Sequence, residues 1–153
     1  MAARIILIVL VALIALGGIG ETYSNFSEHK DYIDTIVTLA IEDTSWLKAS
    51  NKDDLYIYFG RMFNSELTEE LVEETWPYFE NPSDMYHNAI VEKTKTMVIG
   101  NSAYTIASIE LYNTSFVEPI LEATGTGVFR LTFNNNLWRI VSMDFTWNYL
   151  DNE

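Results

Sequence analysis

Asp144 is the carboxylate whose surroundings best suit chemistry, because it sits within the largely apolar strand Leu137–Trp147. A carboxylate enclosed by apolar neighbours is poorly solvated when ionised, which raises its pKa and fits it to act as a general base. Strand alternation places it on one face with Arg130, Thr132, Trp138, Ile140 and Ser142, so pairing with Arg130 across a hairpin is the competing reading. Asp144, Arg130 and Trp138 are therefore the residues of a candidate pocket. The only histidines, His29 and His87, lie far apart in the chain and read as surface or turn residues, and there is no cysteine. That donor set gives no reason to expect zinc or another soft metal. Neither a Gly-x-Ser-x-Gly elbow nor a Gly-x-Gly-x-x-Gly phosphate loop occurs. No catalytic residue, cofactor or metal ligand is assigned.

The charge points the same way. The chain carries a formal −13, and removing residues 1–20 takes away only Arg4, leaving −14. Such a surface repels nucleic acid and anionic lipid, and no Lys/Arg cluster offsets it. Glu66, Glu69, Glu70, Glu73 and Glu74 fall on the outward side of a helical pattern. They read as a solvated face, since carboxylates along one exposed helix cannot encircle calcium. Trp46, Trp76, Trp138 and Trp147 stand at helical and strand spacing, which is the spacing of core residues. Asn25 and Asn113 each open an Asn-x-Ser triplet, a glycosylation pattern only in a glycosylating host.

The elements that would position these groups begin with an apolar segment. Ile5–Gly20 holds no charged side chain, and its membrane-facing residues are Ile5, Ile6, Leu7, Ile8, Val9, Leu10, Val11, Leu13, Ile14, Leu16 and Ile19. A spanning helix takes about 20 residues and a signal-peptide core about 7–15, so this run lies between the two. Gly18 and Gly20 sit at cleavage spacing before Glu21. Residues 1–20 are thus a membrane anchor or a signal peptide, with the remainder exported. Residues 21–30 read as a short connection and 31–150 as one extracytoplasmic domain. The expected location is the cell membrane, single-pass, or secretion if cleavage follows Gly20.

Tyr32, Ile33, Ile36, Val37, Ala40, Ile41 and Leu47 recur at helical spacing and predict a helix of about twenty residues. Asp53 is offered as the cap of a second helix carrying Leu55, Tyr58, Phe59, Met62 and Phe63. Leu67, Leu71, Val72 and Trp76 mark a third, which Pro77 and Pro82 close. Beyond Tyr86 the period falls to two. Val91–Val98 and Ala103–Tyr112 flank Gly100-Asn101-Ser102, Phe116–Leu121 reads as a short strand, and Gly125-Thr126-Gly127 marks a turn. Val128–Phe133 and Leu137–Trp147 flank Asn134-Asn135-Asn136. Phe129, Leu131, Phe133, Leu137, Val141, Met143, Phe145 and Trp147 are expected on the inner face.

Helices followed by a meander predict α+β: a hydrophobic N-terminal helix, then about three helices packed on a curved antiparallel sheet. The element order and the Gly127–Asp144 hairpin, with its apolar alternation, polar turn and Trp138-Arg139-Ile140, resemble the cone-shaped nuclear-transport-factor-two-like (cystatin-like) superfamily over about residues 27–149. That resemblance implies a cone-like sheet. Superfamily isomerases and dehydratases use a Tyr, Asp or His inside the cone, and many exported members are single-pass proteins, some of them assembly factors. No catalytic motif carries over residue by residue.

Three functions follow as expectations. The first is a membrane-anchored, non-catalytic binding or assembly module for protein partners. The second is a pilin-like filament subunit with the N-terminal helix as its stalk, against which stand Ile5 in place of a pilin glutamate and the helix-weakening Gly17, Gly18 and Gly20. The third is a small-molecule binder or enzyme using Asp144. The membrane, protein partners and self-association are the partners expected, and nucleic acid is not.

Overall fold

The computed structural model describes residues 29–80 and 87–150. The apolar segment 1–20 and most of the connection 21–30 lie outside the described residues. Residues 29–42 form helix α1, which buries Ile33, Ile36 and Val37 at the predicted spacing. It ends earlier than its apolar stripe suggests. The Asp43 carboxylate accepts the Ser45 amide at 2.9 Å, a local bond that competes with the helical ladder, and a single 3-10 turn, Ser45–Lys48, follows.

Helix α2 spans Lys52–Phe59, and its cap is Asn51, whose side chain accepts the Asp54 amide at 3.0 Å, two residues before the expected Asp53. Met62 and Phe63 fall outside it. There the chain straightens and borders the sheet: the Asn64 amide donates to the Ile140 carbonyl and the Ile140 amide to the Met62 carbonyl, both at 2.9 Å. Helix α3 spans Ser65–Glu80 and is capped by Asn64 through the Leu67 amide at 3.1 Å. Pro77 lies within it. A proline this close to the helix end forfeits one backbone bond, and three residues of helix continue past it.

Four strands complete the domain: β1 His87–Ile99, β2 Ser102–Asn113, β3 Ile120–Asn134 and β4 Leu137–Tyr149, antiparallel in the order β1-β2-β3-β4. The two tight hairpin turns use Gly100 at φ 56° and Asn135 and Asn136 at φ 49° and 61°. These are left-handed conformations that glycine and asparagine tolerate. The fold is α+β, three helices packed on a four-stranded antiparallel sheet.

Two expectations are corrected here. Residues 114–119 are a loop rather than part of a strand, and Gly125-Thr126-Gly127 is no turn but the interior of the fifteen-residue β3. The glycines serve a different need. A Cβ on Gly125 would stand 2.4 Å from Trp147 Cε3, and one on Gly127 would stand 2.7 Å from Phe129 Cε2. Aromatic rings lie directly over the backbone at both places.

A further correction concerns β4. Its pairing with β3 shifts between Arg130 and Leu131, so Val141 is an extra residue on β4. The inner face therefore holds Trp138 and Ile140 before the bulge and Met143 and Trp147 after it. Trp138 and Ile140 are 2% and 0% exposed, whereas strict alternation assigns them outward. Similar shifts leave Glu92 extra on β1 and Glu122 extra on β3.

The core between helices and sheet gathers Ile33, Val37, Leu55, Val72, Phe129 and Leu131, all fully buried. Each such side chain contributes roughly 1.5–3 kcal/mol by leaving water. Thr96 on the inner face of β1 ties α1 to the sheet through Asp34 Oδ1 at 2.5 Å and bonds Thr105 at 2.7 Å.

Candidate functional site

The helices cover one face of the sheet, and the other face meets no described helix. Its composition follows from register. Residues directly opposite on neighbouring strands share a face, so β1 to β4 contribute cross-strand rows. One row is Ile99, Ser102, Thr132 and Arg139, and the next comprises Met97, Tyr104, Arg130 and Ser142. A third holds Lys95, Ile106, Val128 and Asp144, and a fourth Lys93, Ser108, Thr126 and Thr146. Met97, Ile99, Tyr104, Ile106 and Val128 are each between 44% and 58% exposed. They are neighbours across and along the strands and make one continuous apolar area.

Charge is distributed unevenly over the two layers. Residues 29–80 carry twelve acidic and four basic side chains, whereas residues 87–150 carry five and four. Three of the four basic residues of the sheet, Lys93, Lys95 and Arg130, fall on the uncovered face by register, against Glu110 and Asp144, while Arg139 on the edge strand lines a cleft beside α3. An acidic domain thus presents one apolar face with a basic border. Among the described residues, Lys93, Lys95 and Arg130 enter no ion pair.

The candidate pocket residues do not meet. Asp144 and Arg130 lie on the uncovered face, while Trp138 is buried beneath the helices. Register sets Asp144 opposite Val128 and Arg130 opposite Ser142. The two charges are diagonal neighbours, a relation that keeps side chains roughly 7–8 Å apart, and they form no ion pair. Asp144 is exposed. An open sheet face without other catalytic groups gives it neither the enclosure nor the partner that a general base needs.

Both histidines have partners that the sequence did not reveal. The Trp138 indole N–H donates to His29 Nδ1 at 3.1 Å, and the His29 ring also meets Phe133 edge-on at 5.3 Å. A buried indole N–H requires an acceptor, and helix α1 brings one from over a hundred residues away. His87 Nε2 lies 2.8 Å from Glu122 Oε2, and Asn113 Nδ2 donates to Glu122 Oε1 at 2.6 Å. These bonds, from Asn113 first and then His87, hold the Glu122 carboxyl below its usual range. The cluster ties the ends of β1, β2 and β3, with Glu122 freed for the purpose by its bulge. Tyr58, half-buried and donating to the Asp43 carbonyl at 2.8 Å, is pushed up to about 12, chiefly by burial.

A shallow cleft of about 650 Å³ opens at the start of α3, with Tyr56, Phe63, Asn64, Glu69 and Arg139 in its lining. Thr68 also borders it, and its hydroxyl is buried with no hydrogen-bond partner among the described residues. The cleft holds one carboxylate and one guanidinium, with no nucleophile and base in contact. Among the described residues, no three His, Cys, Asp or Glu side chains converge as a metal site, and no helix is long and apolar enough to cross a membrane. No family model matches the chain, and no curated protein matches it as a relative.

Proposed function

We propose that this chain is a non-catalytic binding module that docks protein partners on the uncovered sheet face and is held at the membrane by residues 5–20. One observation carries the reading: Met97, Ile99, Tyr104, Ile106 and Val128 form a continuous exposed apolar area bordered by Lys93, Lys95 and Arg130. An apolar centre with a polar, charged rim is the anatomy of a protein interface. Two further features support it. The element order resembles that of nuclear-transport-factor-two-like proteins, which implies a curved, cone-like sheet, and single-pass assembly factors occur among them. The apolar N-terminus would hold the domain outside the cytoplasm, where an open sheet face can meet other envelope proteins.

Lysine footprinting tests this reading. Native membranes and the full chain, dispersed in mild detergent at high dilution, are treated with an amine-acylating reagent, and modification is read by mass spectrometry. Lys93 and Lys95 should be protected in membranes relative to the dilute chain, while Lys48, exposed beside α2, labels equally in both. Equal labelling of Lys93 and Lys95 in the two states would sink the proposal.

A further inference from the structure

We infer that the partner on this face is a second copy of the chain, joined head to tail, with the sheet face of one copy against helix α3 of the next. The inference rests on the binding-module reading and supplies its occupant. Helix α3 contains no basic residue and turns Glu66, Glu69, Glu70, Glu73 and Glu74 to solvent. Among the described residues, Glu73 alone of these has a cation, Lys52 Nζ at 2.7 Å. Glu66, Glu70 and Glu74 follow one another at i,i+4, a spacing at which like charges repel and weaken the helix. Tyr78, 58% exposed, continues the same stripe.

The stripe and the sheet face complement each other in sign and shape of charge. Lys93, Lys95 and Arg130 are cations without ion-pair partners among the described residues, and Glu66, Glu70 and Glu74 are anions without them. Tyr78 supplies an aromatic ring for the apolar area around Ile106. The two surfaces also lie on opposite sides of the domain, because α3 packs on the covered face and turns its glutamates away from it. A contact between unlike surfaces of identical molecules is heterologous, so it repeats into a ring or an open chain of subunits. Sheet-to-sheet pairing would instead bring Lys93, Lys95 and Arg130 of both copies together, and like charges disfavour it.

Charge reversal in the full chain, in mild detergent, separates the outcomes. Sedimentation velocity should show concentration-dependent assemblies of the wild type that shrink as salt rises, since exposed pairs are screened. Lys93→Glu with Lys95→Glu, and separately Glu70→Lys with Glu74→Lys, should each weaken association by about tenfold or more. An equimolar mixture of the two variants should assemble again, as should a chain carrying all four changes. These positions are exposed, and unchanged circular dichroism confirms that the variants fold. A wild type that stays monomeric at every concentration overturns the inference. Equal association by the α3 variant and the wild type overturns it too, pointing to sheet-to-sheet contact. If the wild type is monomeric yet Lys93 and Lys95 are protected in native membranes, the binding-module reading stands and its partner is another protein. If they are protected even in the dilute monomer, the chain's own N-terminal residues cover the face, and both readings fall.

Discussion

Gly127→Ala adds one methyl group where the sheet backbone is closely covered by buried side chains. The new Cβ would lie 2.7 Å from Phe129 Cε2, 3.1 Å from Phe129 Cζ and 3.1 Å from Ile109 Cδ1. Carbon atoms rest at about 3.5–4.0 Å, so the ring must retreat by roughly 1 Å. It has nowhere free to go. Phe129 is 0% exposed, Ile109 is 2% exposed, and the Phe145 ring closes on Phe129 edge-on at 5.6 Å. Overpacking of this kind costs about 1–3 kcal/mol. Replacing glycine in a strand returns about 0.5–1 kcal/mol by restricting the unfolded chain. The expected net loss is therefore about 0.5–2 kcal/mol, setting the low ends and the high ends of the two ranges against each other.

Urea unfolding of the full chain, followed by tryptophan fluorescence, reads this as a lower midpoint at unchanged slope. Phe129→Leu removes the outer ring carbons, so the double variant Gly127→Ala/Phe129→Leu should lose less than the two single losses added together. Gly125→Ala is the internal comparison. Its Cβ meets Trp147, which is only half-buried and can swing aside, so its loss should be the smaller. If Gly127→Ala is as stable as the wild type, the ring does not lie over the backbone there. The reading of β3 as one continuous strand then loses its physical reason.

His29→Ala should cost about 1–3 kcal/mol, because it leaves the buried indole N–H of Trp138 without an acceptor. His29→Asn, which places a carbonyl oxygen near the Nδ1 position, should recover part of that loss in the same unfolding assay. Glu122 holds its proton less tightly folded than unfolded, so its contribution is present above the unfolded pKa and is lost as pH falls through the folded one. Glu122→Gln should consequently lower the thermal midpoint at pH 6–7, by a margin that closes as the pH is taken below the carboxylate range of about 4.3. A margin independent of pH would refute the role given to its charge.

The α+β class, three helices and a closing meander were legible in the sequence because each rests on periodicity, a local property. So were the asparagine turn at Asn135 and Asn136 and the outward glutamates of α3, since backbone tolerance and solvation depend on residue type alone. Tertiary structure decided what depends on registration between distant segments. The bulge at Val141 reversed the faces of β4 before it, moving Trp138 into the core and away from Asp144, and no local pattern records an inserted residue. Gly125 and Gly127 read as a turn because flexibility is all that a glycine displays in isolation. Their purpose is to admit Trp147 and Phe129, which only the folded chain brings over them. The same holds for the uncovered face: alternation along each strand names its exposed residues. Only the pairing of four strands joins five scattered apolar side chains and their basic neighbours into one surface, because that surface is perpendicular to the chain.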